Sequence, residues 1–84
     1  MNKKHGKTLE AIFSTPVRYN IPFRDVEALL KAVGCSVDNL GGSVVRFSRG
    51  KQFWLTHRPH PQKEAKGHQV SHVRRYLSDL GIKP

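Results

Sequence analysis

The chain has 84 residues, in which 15 lysines and arginines stand against six acids for a formal charge of +9. That length supports one domain with a small core, and at 37% hydrophobic residues the material for a core is present. No apolar run reaches the ~18–20 residues of a membrane span, the basic start from Met1 to Lys7 lacks the apolar stretch of a secretion signal, and the single Cys35 excludes an internal disulfide, so a cytoplasmic protein is expected.

After a basic tail at residues 1–6, Leu9, Ile12 and Phe13 predict a short helix from about Lys7 to Ser14. Thr15-Pro16 ends it, because the residue before a proline is pushed out of the helical region. A connector from Val17 to Pro22 leads to a second helix over about Phe23 to Val33. There Val26, Leu29, Leu30 and Val33 line one face, Asp25 and Glu27 sit near the positive end, and Gly34 supplies the stop. Cys35 to Leu40 reads as a strand, and Gly41-Gly42 as a turn. In the next strand Val45 and Phe47 share one face, and Val44, Arg46 and Ser48 the other. After the basic turn Arg49-Gly50-Lys51, a third strand puts Phe53 and Leu55 on one face and Trp54, Thr56 and Arg58 on the opposite one. We expect Phe53 and Leu55 on the apolar side and Trp54 outside with the arginines. His57 goes by parity with Phe53 and Leu55, at the strand's end. A proline- and lysine-rich loop from Arg58 to His68 precedes a last helix to about Leu80. That helix buries Val70, Val73, Leu77 and Leu80, carries Tyr76 at its margin and stops at Gly81. Helix, helix, three antiparallel strands and helix make one α+β domain over residues 1–84. It is a two-layer sandwich with the helices on one sheet face and the opposite face available.

Charge is unevenly placed. Residues 41–84 hold nine basic side chains against Glu64 and Asp79, whereas residues 1–40 hold six against four. A basic hairpin running into a histidine loop points to a polyanion, and nucleic acid is the commonest one in a cytoplasm. Arg46, Arg49, Lys51, Arg58, Lys63 and Lys66 are the candidate phosphate contacts. Trp54 is either a stacking platform for a base or a packing residue. His57 and His60 are the candidate proton-transfer groups, since histidine changes charge near working pH. Ser43 and Thr56 are the available hydroxyls, and neither has a histidine partner that the sequence itself places. His57, His60, His68 and His72 would in principle suffice for zinc. With no carboxylate cluster nearby and Cys35 assigned to the core, neither a metal nor a cofactor is expected. Arg74 and Arg75 are expected to form a basic rim.

The helix Phe23-Arg24-Asp25-Val26-Glu27-Ala28-Leu29-Leu30, the Gly42-Ser43 turn, the basic hairpin, the Arg58-Pro59-His60-Pro61 loop and the helix Val73-Arg74-Arg75-Tyr76-Leu77 together resemble the HicA family of bacterial toxins. The resemblance runs from about Lys4 to Ile82. It implies a fold like a double-stranded-RNA-binding domain, an mRNA-cleaving activity that needs no metal, and neutralisation by a HicB-type antitoxin. Family members carry their catalytic histidine at or just after the Gly-Ser turn, where this chain has Val44, Val45 and Arg46. The family's catalytic role therefore attaches to no residue here, and His57 and His60 become the replacement candidates. A module that binds nucleic acid without cleaving it, or a toxin acting on a protein surface, are the alternatives.

Overall fold

The computed structural model describes residues 1–18, 20–60 and 63–84. Tyr19 in the connector, and Pro61 and Gln62 in the loop after the hairpin, lie outside the described residues.

Helix α1 spans Lys3–Ile12, four residues ahead of its predicted start, so most of the basic tail is helical. Asn2 explains this: its side-chain oxygen accepts the His5 amide at 2.8 Å, satisfying a donor that the helix start leaves orphaned. Apolar periodicity does not register such a turn, because only Thr8, Leu9 and Ile12 of α1 are buried. Helix α2, Phe23–Ala32, buries Phe23, Val26, Leu29 and Leu30 along the predicted face.

The sheet has strands β1 (Ser36–Gly41), β2 (Val44–Arg49) and β3 (Gln52–His57) in that order, all antiparallel. Leu40 is an extra residue between the pairs Asn39/Val45 and Gly41/Val44, a bulge that leaves its side chain half exposed. Gly50, with φ 62°, takes the left-handed position of the tight turn between β2 and β3. Arg49 and Gln52 close that turn, so Phe47 stands opposite Trp54, and Val45 opposite Thr56.

This register overturns the expected faces of β3. Residues directly opposite in an antiparallel pair share a face, so Trp54 joins Phe47 on the helix side and is 8% exposed. Phe53 and Leu55 point outward, at 63% and 53% exposure. The Trp54 and Phe47 rings stack with centroids 5.7 Å apart, and Phe23 of α2 meets both at 6.4 Å. Trp54 is a core residue, and it is not available for base stacking.

Helix α3, Gly67–Asp79, completes the helical layer. Tyr76, expected at the margin, is buried, and its hydroxyl reaches the Gln52 carbonyl at 3.3 Å and the Cys35 sulfur at 3.7 Å. Burial first, and then the bond to Cys35, push that hydroxyl far above its ordinary range, which keeps it protonated. Arg74 leaves the expected rim: its guanidinium donates to the carbonyls of Ile12 and Ser14 at 2.9 and 2.7 Å, capping the end of α1. Arg75 stays exposed. Reciprocal bonds pin the segment before α3 to the start of α2, with Phe23 N–H to Lys63 O at 2.8 Å and Ala65 N–H to Ile21 O at 2.7 Å. Among the described residues the result is α+β, with three helices over one face of an open three-stranded sheet. Among the described residues no helix is long and apolar enough to cross a membrane.

Candidate histidine cleft and basic surface

At the end of the sheet away from the Gly50-Lys51 turn, β2 begins and β3 ends side by side. Val44 and His57 are cross-strand partners there, and both belong to the outer face. The ladder runs one step further, with the Arg58 amide donating to the Ser43 carbonyl at 2.8 Å. That register brings the Ser43 hydroxyl to 3.1 Å from Nδ1 of His57. Ser43 therefore has the histidine partner that sequence order alone did not assign. The signal was present in the tight turn: once Arg49 and Gln52 pair, Val44 must face His57.

His57, His60 and Ser43 line one cleft of about 320 Å³, together with Lys66, His68, Thr56 and Gln69. The two predicted histidines are thus brought together, and His68, from the first turn of α3, joins them. His68 also meets His72 edge to face at 5.8 Å. The four imidazoles do not form a zinc set: among the described residues no three His, Cys, Asp or Glu side chains converge as metal ligands.

Gln69 fixes the wall of the cleft. It is 3% exposed, and its side-chain amide donates to Thr56 Oγ1 at 2.9 Å and to the His57 carbonyl at 2.7 Å. Its side-chain oxygen accepts the Lys66 amide at 2.9 Å, the first-turn cap of α3. One buried amide therefore ties α3 to the end of β3, just below the imidazole. Gln69→Leu is expected to cost about 1–3 kcal/mol, because it strands buried donors and acceptors. A urea unfolding midpoint will check this, and an unchanged midpoint would mean that the links carry no weight.

The candidate phosphate contacts separate into committed and free groups. Arg58 is committed. Its Nε and Nη2 donate to the two Glu27 carboxylate oxygens at 3.1 and 3.2 Å, and its Nη1 donates to Asn39 Oδ1. This fork joins the end of β3 to α2 and leaves Arg58 little capacity for a phosphate. The ion pair sits in the wall of a second cleft of about 460 Å³, which Lys63 also lines, along with Pro22, Phe23, Arg24, Pro59 and Glu64. Arg46 donates to Asp38 at 3.2 Å across β1 and β2, where both side chains are close to half exposed. Such an exposed pair is worth little and can be exchanged. Arg49, Lys51, Lys63 and Lys66 are exposed and, among the described residues, make no ion pair. Of these four only Lys66 lines the histidine cleft, whose wall the committed Arg58 also joins. Arg49 and Lys51 sit at the opposite end of the hairpin, roughly 17 Å away at the rise of a strand.

The family model for HicA toxins of bacterial toxin–antitoxin systems matches residues 23–82, which take in α2, the whole sheet, the histidine cleft and α3. No curated protein and no solved structure matches the chain. The match covers most of the chain and every element that builds the cleft, and the chain belongs to the HicA family of toxins of bacterial toxin–antitoxin systems.

Proposed function

We propose that this toxin binds RNA through its exposed lysines and arginines and cleaves it at the histidine cleft without a metal. The observation that carries the reading is the position of His57. It stands directly opposite Val44, the residue after the Gly-Ser turn, on the same face, with its Nδ1 held by Ser43. An imidazole on the neighbouring strand therefore reaches the surface from which Val44 points. Opposed residues on one sheet face lie ~4.5–5.5 Å apart at Cβ.

Three histidines and a lysine around one cleft supply what proton-transfer cleavage of RNA needs. One imidazole takes the proton of a ribose 2′-hydroxyl, and the 2′-oxygen bonds to the adjacent phosphorus. The bond from phosphorus to the 5′-oxygen then breaks, and a second imidazole protonates the departing oxygen. His57 and His60 are the pair we assign to these steps, and Lys66 is placed to hold the phosphate charge. The products are a 2′,3′-cyclic phosphate and a 5′-hydroxyl.

A labelled transcript incubated with the purified protein in excess chelator tests the assignment. Cleavage that persists and leaves those two end groups is expected. Intact RNA, cleavage lost in chelator, or 5′-phosphate ends would overturn it. Binding should weaken with salt at a slope near −0.7 per phosphate neutralised.

A further inference from the structure

Among the described residues the outer edge of β3 is unpaired, and it lacks the features that normally protect an edge. Among them β3 pairs only with β2, and its sequence, Gln52-Phe53-Trp54-Leu55-Thr56-His57, contains no lysine, acid or proline. Natural sheets guard open edges with such residues or cover them. Here the ladder dictates which backbone groups are free. The Arg58 amide bonds to Ser43, and antiparallel bonding alternates. The bonded pairs are therefore those of Thr56, Trp54 and Gln52, while Phe53, Leu55 and His57 direct their N–H and C=O groups away from β2. A side chain of α3 closes one end of this edge, where the Gln69 amide donates to the His57 carbonyl at 2.7 Å. Among the described residues, the amides of Phe53 and Leu55 find no partner.

The surroundings define what fits. On the outer face Phe53 and Leu55 are the exposed apolar side chains of this edge. On the helix side, a groove of about 220 Å³ between β3 and α3 is lined by Phe53, Trp54, His72, Arg75, Tyr76 and Asp79. His72 and Arg75 are exposed along it, and Asp79 is its single acid, at the hairpin end where its carbonyl accepts from Gln52. A strand laid on this edge would alternate between an apolar and a cationic environment.

We propose that the partner protein of this toxin adds a strand to β3, with apolar residues over Phe53 and Leu55 and acidic residues facing His72 and Arg75. Its backbone would bond to the open amides, the general mode of strand addition. A second copy of the chain is the poorer occupant, because it would bring another +9 of charge against the first. The proposal rests on the toxin–antitoxin reading for the existence of a partner, and it does not depend on whether the histidine cleft cleaves RNA.

The test uses the full chain and a capped peptide of about eight residues alternating valine and glutamate. Amide NMR is expected to show shifts centred on Phe53 and Leu55, with slowed exchange of both amides. Replacing every glutamate by lysine should abolish binding. Leu55→Pro removes an outward amide without touching the β2 ladder and should weaken binding about tenfold or more. Arg75→Glu, at an exposed position, gives a second reading should the proline variant unfold, and it should remove the preference for glutamate. Equal binding of the lysine peptide, shifts elsewhere, indifference to both substitutions, or edge amides already protected by self-association would overturn the proposal. So would RNA displacing the peptide from these amides. RNA cleavage measured on Leu55→Pro keeps the two readings separate: its absence in the unmodified chain as well, with the peptide bound as expected, removes only the ribonuclease.

Discussion

His57→Ala should lower RNA cleavage by about 10²–10⁴-fold, the range over which a positioned acid or base contributes. His57 is exposed and makes no packing contribution to the core, so the variant is expected to unfold within about 0.5 kcal/mol of the unmodified chain. RNA affinity should fall far less than rate, because the exposed cations Arg49, Lys51, Lys63 and Lys66 remain. His60→Ala, across the same cleft, should also lose rate. The two changes together should cost much less than the product of their separate effects, since an acid and a base working as a unit are not additive. Single-turnover cleavage of a labelled transcript, with folding checked by urea unfolding, measures all three variants. A rate unchanged in both single variants would end the assignment of chemistry to this cleft and leave a toxin that binds without cutting.

The parts of this fold legible in the sequence were those written in apolar periodicity. Val26, Leu29 and Leu30 located α2, Val70, Val73 and Leu77 located α3, and all six are buried. The alternation of Val45 and Phe47 gave β2 its inner face in the same way. Reading β3 by hydrophobicity failed because Phe53, Trp54 and Leu55 are consecutive apolar residues, so alternation alone does not choose between the two faces. The turn does choose, through the pairing of Arg49 with Gln52. The same register explains the site. His57 and His60 were legible as titratable groups on a basic loop, whereas the Ser43 contact and His68 were not, because both depend on the way β2, β3 and α3 meet. Arg58 and Arg74 were read as surface cations because charge in a sequence does not reveal its partner. Each is held by acceptors from a distant segment, Glu27 and Asn39 for one and the end of α1 for the other.

Trp54→Ala should destabilise the domain by about 3–5 kcal/mol, the cost of deleting a large buried aromatic and leaving a cavity. Marginally stable domains hold only about 5–15 kcal/mol in total, and a chain of this length has little core to spare. At least about a fifth of the stability is therefore at stake, and nearly all of it at the low end of that range, so a large downward shift of the urea midpoint is expected. The cause is local and specific: Trp54 stacks on Phe47 and touches Phe23, so its loss opens the junction between the sheet and α2. Trp54→Phe keeps a ring in that position and should recover part of the loss. Phe53→Ala, one residue away and 63% exposed, should change stability by no more than about 0.5 kcal/mol. This contrast separates the two readings of the tryptophan. Were Trp54 a stacking platform for RNA bases, its alanine variant would fold with an unchanged midpoint and lose affinity instead, and Phe53→Ala would be the change that opens the core.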